Sequence, residues 1–78
     1  MDEYLGIIKL FAGTFVPRGY MECNGRSLVV QQYPALYSLL GGAFGGNNTT
    51  IFNLPTLTPP IDGVKYIICV EGPYPTRD

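Results

Sequence analysis

The sequence predicts a small α+β domain: an antiparallel sheet with a β-hairpin and one short helix packed on it. Three observations carry this. Two apolar runs, 6–12 (GIIKLFA) and 64–71 (VKYIICVE), stand near opposite ends of the chain and read as strands. An Asn24-Gly25 pair, the strongest short hairpin signal, separates two short strand-like runs. A third run, 31–40 (QQYPALYSLL), changes to helical spacing and stops at Gly41-Gly42.

Length sets the first bound. At 78 residues the chain is one domain, with a core over 6–71 and an extended tail over 72–78. A core of this size supplies only about 3–5 kcal/mol net. Charged residues make up 14% of the chain, against roughly 25% in a typical soluble domain. Six Tyr and four Phe add aromatic surface. A domain so poor in charge and so rich in apolar groups is expected to bury part of its surface against partners.

The same composition argues against several classes. Net charge is −1, and Lys9, Arg18, Arg26, Lys65 and Arg77 are dispersed, so no basic patch exists to displace counterions from nucleic acid. No apolar run nears the ~20 residues that span a membrane. The opening MDEYLGII has neither a positive n-region nor a cleavage site, which predicts synthesis in the cytoplasm without a signal peptide. With no His and two distant Cys, neither a metal nor a cofactor is expected. Cys23 and Cys69 read either as buried small hydrophobes or as a disulfide, and both readings stand at this point.

The elements follow in order. In 6–12, Ile8, Leu10 and Ala12 share one face, and Ile7, Lys9 and Phe11 the other. Both faces are largely apolar, which predicts a central strand or one covered by a partner. Gly13 to Gly19 (GTFVPRG) is a loop whose Phe15 and Val16 are expected to fold back over the core. Tyr20–Cys23 is a short strand, and Arg26–Val30 is expected to return antiparallel to it through Asn24-Gly25. Pro34 suits the first helical turn, and Leu36, Leu39 and Leu40 fall on one side with Tyr33 and Tyr37 flanking. Gly42 to Thr50 (GAFGGNNTT) reads as a flexible surface loop, with Phe44 turned to the core. No Lys follows its glycines, so it is no phosphate loop. Thr50–Leu54 is extended, Pro55, Pro59 and Pro60 make an irregular link, and Asp62-Gly63 is a tight turn. The 64–71 run is expected to pair with 6–12. In the tail, Pro73 and Pro75 hold Tyr74 on an extended segment.

An ordered series of motifs now gives a family likeness. It runs Gly6-x-Ile8-x-x-Phe11-Ala12-Gly13, then Pro17-x-Gly19-Tyr20-x-x-Cys23-Asn24-Gly25, then Leu28 and Tyr33-x-x-Leu36-Tyr37-x-Leu39-Leu40-Gly41. Phe44-Gly45-Gly46, Thr50-x-Phe52-x-Leu54-Pro55, Tyr66-Ile67-Ile68 and Glu71-Gly72 continue it. Together these resemble the phage tail collar domain family over nearly the whole chain. Three features depart from that pattern: Tyr20 where the family usually has Trp, Thr56 where it usually has Asp, and a short proline bridge over 57–63 in place of a longer region. The resemblance implies an α+β module of phage tail fibres and tail-like particles. Its members are structural or adhesive, often in trimers, so a homo-oligomer, first of all a trimer, is expected here, with other tail or fibre proteins and a host surface receptor as further partners.

Two functional readings follow. The first is a non-enzymatic structural part of a tail: a fibre, collar or baseplate adaptor located in the virion. The second is an adhesin that recognises a host surface glycan or protein. The candidate contact residues are Phe15, Arg18, Tyr20, Phe44, Asn47, Asn48 and Tyr74, large or polar groups on loops and loop edges where interface anchors concentrate. Core packing is the competing role for Phe15, Tyr20 and Phe44. A catalytic site is not expected. Glu22, Asp62 and Glu71 are the only carboxylates in the body of the domain, each reads as a solvated charge beside a strand, and no His is present as a base.

Overall fold

The computed structural model describes residues 3–47 and 49–76. Its elements are β1 (Ile8–Ala12), β2 (Tyr20–Glu22), β3 (Ser27–Val29), α1 (Pro34–Leu40), β4 (Ile51–Asn53) and β5 (Val64–Cys69). One antiparallel sheet has the order β1-β5-β2, and a second pairs β3 with β4. This is the expected α+β class, with the two end runs paired.

β5 is the central strand. It matches β1 from Ile8↔Ile68 to Ala12↔Val64, and β2 from Tyr20↔Cys69 to Glu22↔Ile67. Because side chains alternate across a sheet, Ile68 and Val70 point to one face and Ile67 and Cys69 to the other. The first face joins the core, where Leu5, Cys23, Leu28, Leu36, Phe52, Leu54, Ile68 and Val70 cluster. Leu5 precedes the expected core boundary. Its N–H donates to the Pro73 carbonyl (2.9 Å), so the lead-in and the tail clasp each other.

β1 is not central. It lies at the sheet edge, and Ile8 and Leu10 are 39% and 47% exposed. The apolar character of both its faces therefore answers to something other than neighbours on each side.

The Asn24-Gly25 pair forms no hairpin. The chain there changes partner and does not reverse. The Cys23 N–H still donates to Tyr66 of β5 (2.9 Å), while Asn24 already bridges to Thr56. From that bridge the same antiparallel register runs through Ser27↔Asn53, Leu28↔Phe52 and Val29↔Ile51. Gly25, at φ 82°, supplies the bend where one strand serves two sheets. The tight reversal lies instead at 45–53. There Gly46 bridges to Phe52, and the Asn53 N–H donates to the Gly45 carbonyl (3.2 Å). Gly46 has φ 102°, and a Cβ on it would run into the Ile51 and Phe52 backbone.

α1 begins with Pro34 in its first turn and stops at Gly41, whose N–H donates to the Tyr37 carbonyl (2.6 Å). Leu36 is buried, and Tyr37 packs on Phe52 with ring centroids 5.4 Å apart. Leu39, expected with Leu36 on the packed side, is exposed and lies over Gly6 at the start of β1.

Cys23 and Cys69 are both buried, and no disulfide joins them. Geometry forbids their union. Cys23 stands opposite Tyr66, on the core face, while Cys69 is three residues along β5 and on the other face. Successive strand residues advance by about 3.3 Å, so the pair exceeds the ~7 Å reach of a disulfide.

Phe52 is fully buried where α1, β3 and β5 meet. Phe52→Ala is expected to cost about 3–5 kcal/mol, comparable to the whole net stability of a domain this small, of order 3–5 kcal/mol. Urea denaturation should find that variant largely unfolded at 25 °C. Ile61→Ala, at an exposed position, should change stability by less than about 0.5 kcal/mol.

Candidate interaction surface

The outer face of the β1-β5-β2 sheet is roofed by a polar trio. Lys9 on β1 and Glu22 on β2 flank Ile67, which is nonetheless only 1% exposed. Glu3 explains this. Its carboxylate forms an ion pair with Lys9 and accepts a hydrogen bond from the Tyr20 hydroxyl (3.0 Å). The Lys9 ammonium then stands 5.5 Å from the Tyr20 ring centroid, within cation–π range. The Cys69 thiol sits below, against the Glu3 and Glu71 carbonyls. Long stems and a ring thus cover apolar atoms while their polar ends meet above them.

This contact shifts all three groups. The Lys9 hydrogen bond, then that of Tyr20, hold the Glu3 carboxyl below its ordinary range. The hydrogen bond to Glu3 raises Lys9. Burial, then the Glu3 hydrogen bond, raise Tyr20. Elsewhere, burial pushes the Cys23 thiol up, with the Glu22 charge adding to it, so this sulfur stays protonated and unreactive.

The predicted contact residues do not form one patch. Phe15 is 65% exposed and does not fold over the core. It meets Phe11 edge-on, with centroids 5.9 Å apart. The reason is β1's position at the edge, which leaves the Phe11 ring, and not the core, nearest the loop. Arg18 is exposed on that loop. Tyr20 is half-buried within the trio. Phe44 is also exposed and does not plug into the core, because the pairing of Gly45–Asn47 along β4 leaves it at the start of that reversal. Tyr74 is exposed on one side, and its hydroxyl shares a hydrogen bond with Ser38 of α1 (3.0 Å). Asn48 lies outside the described residues.

Asn47 has a local task. Its Oδ1 accepts from the backbone N–H groups of Thr49 (2.9 Å), Thr50 (2.9 Å) and Ile51 (3.0 Å), and from the Thr49 hydroxyl (3.1 Å). Its amide nitrogen donates to the Thr50 hydroxyl (2.9 Å). One side chain therefore ties a segment that composition alone reads as slack. Beside it a groove of about 340 Å3 is lined by Val29, Val30, Gln31, Thr49 and Thr50.

Sequence reasoning missed Ile8, Leu10 and Ile61 as surface groups, the last 66% exposed. The doubly apolar alternation of 6–12 was the available signal. Among the described residues no cluster of three or more Cys, Asp or Glu is placed to hold a metal ion, and no helix is long and apolar enough to cross a membrane.

Comparison with known proteins adds two findings. A family model described as Phage Tail Collar Domain matches residues 6–59, from the start of β1 to the proline link. Protein RhiB of Rhizobium leguminosarum bv. viciae is 48% identical over 33 residues, which are 42% of this chain and 15% of RhiB. The match thus spans a small part of that protein's length.

Two outcomes are expected from the site. The depressed Glu3 carboxyl contributes stability above the ordinary carboxylate range, and this is lost as pH falls through its lowered value. The raised Lys9 contributes below the ordinary lysine range, and this is lost as pH rises through its elevated value. Thermal melts of Glu3→Gln across pH should be flatter than wild type at both limbs, with the largest difference near neutrality. Asn47→Ala should cost about 1–2 kcal/mol in urea denaturation by leaving several N–H donors without their acceptor. Asn47→Asp, which keeps the acceptor oxygen, should recover most of that loss.

Proposed function

This chain belongs to the phage tail collar domain family, and from that membership we propose that it is a non-enzymatic structural component of a bacteriophage tail or tail-like particle. It acts as a fibre, collar or baseplate adaptor through protein–protein contacts. Its partners are other tail or fibre proteins, further copies of itself included, and its location is the tail of the virion. The family carries the structural role in a phage tail fibre. The contact mode rests on one observation: large apolar side chains stand exposed on a chain with few charges. Ile8 and Leu10 stand exposed on β1, Phe15 on the loop after it, and Ile61 in the link before β5. Such surface is unfavourable in water and favours burial against protein.

The adhesin alternative draws less support from the structure. A sugar bound at the 44–50 loop would need hydrogen bonds from Asn47, whose Oδ1 already accepts from its own loop.

Immunogold electron microscopy with antibodies against this chain tests the proposal. Label on the tail or its fibres in particles purified from the producing strain is the expected result. Protein confined to particle-free fractions would overturn it.

A further inference from the structure

Residues 3–5 belong to neither sheet, yet they cover part of one. The chain enters β1 through a turn: the Ile7 N–H donates to the Tyr4 carbonyl (3.2 Å), and Gly6, at φ 88°, supplies its left-handed position. Before that turn, Glu3 meets the outer face of β1-β5-β2. Its carboxylate engages Lys9 and Tyr20, and its carbonyl accepts from the Cys69 thiol (3.6 Å). Gly72 makes room for this. A Cβ there would run into the Glu3 carbonyl and crowd the Cys69 sulfur. Ile67 and Cys69 are each 1% exposed beneath this cover, but neither belongs to the core cluster.

The segment is held differently from the sheet it covers. β1 and β2 are tied to β5 by continuous registers. Among the described residues, the backbone bond that joins 3–5 to a distant part of the chain runs from the Leu5 N–H to the Pro73 carbonyl (2.9 Å), in the proline-punctuated tail. The Lys9 and Glu3 side chains are 46% and 29% exposed, so water competes for their ion pair. Tyr4 is exposed, and Leu5 is the side chain that reaches the core. A segment with few buried contacts and water-accessible polar bonds opens at lower free energy than the elements it rests on.

We propose that residues 3–5 form a strap that opens as a unit, uncovering Ile67 and Cys69 while the β1-β5-β2 sheet stays paired. The strap pivots on Gly6. Its release withdraws Leu5 from the core, breaks the bond to Pro73 and leaves Lys9 without its carboxylate. The opened face presents Ile67 and Cys69 beside Ile7, which is already exposed on that side of β1. Because these contacts are internal to the chain, the strap is independent of the tail assignment.

The two cysteines report the opening separately. Cys23 belongs to the core cluster and becomes accessible on global unfolding, whereas Cys69 lies under the strap. Trypsin, cutting after Arg18, Arg26 and Lys65, puts them on different peptides. Iodoacetamide labelling of the full-length protein can therefore be followed at each by mass spectrometry. In the wild type, Cys69 should label about tenfold or more faster than Cys23. Its rate should stay nearly flat in low urea, because a local opening exposes little surface, while the Cys23 rate should rise steeply. Gly72→Ala sets a methyl against the Glu3 carbonyl. It should raise the Cys69 rate about tenfold and keep it flat in urea, with the far-UV circular dichroism of the sheet retained. Equal rates and equal urea slopes at the two thiols would mean that the lead-in leaves only when the domain unfolds, and would overturn the strap. So would a Cys69 that reacts as fast in the native protein as in the unfolded one, or a Gly72→Ala protein whose Cys69 labels at the wild-type rate.

Discussion

β5 has a neighbour on each side, and the rest of the domain is positioned by that fact. Its register with β1 brings the beginning and end of the chain together, and its register with β2 sets where Cys23 leaves the sheet. Ile67, Ile68 and Cys69 are almost wholly buried, though they occupy both faces. One face is covered by the core cluster, and the other by Glu3, Lys9 and Tyr20. The family match ends at residue 59, before β5 begins. The strand that completes the sheet is thus reached across the short proline link, within which the family match stops.

Two other departures have structural counterparts. Tyr20 offers a hydroxyl that reaches Glu3 and a ring that lies beneath Lys9. Thr56 bridges Asn24, and its hydroxyl occupies the space that a side chain at position 25 would need. That close approach is why glycine stands at the point where one strand passes from one sheet to the other. Both substitutions therefore sit at junctions: Tyr20 joins the lead-in to the sheet, and Thr56 joins the two sheets.

The strands at 6–12 and 64–71 and the helix at 34–40 were legible because periodicity and punctuation agree there. Their pairing was legible too, since two apolar runs in a small domain have few other partners. The Asn24-Gly25 reading failed because a turn signal reports local conformation, not pairing: Gly25 takes the positive φ, but the strands on either side find partners elsewhere. Phe15 and Phe44 were expected inside because hydrophobicity carries no information about which side of an edge strand remains open. Asn47 was unreadable as an organiser, since only folding shows that several N–H groups converge on its oxygen. The Glu3–Lys9–Tyr20 contact joins residues distant in sequence, and no local pattern marks it.

These strands account for the exposed apolar edge in one step. β5 fixes β1 with alternate amides inward, Glu3 pairs with its only charge, and an apolar edge is left at the sheet border. Residue-resolved hydrogen exchange on the dilute protein tests this most directly. The amides of Lys9 and Phe11, bonded to β5, should be protected, while those of Ile8, Leu10 and Ala12 should exchange rapidly. If all five behaved alike, β1 would not be the edge strand that β5 holds by alternate amides.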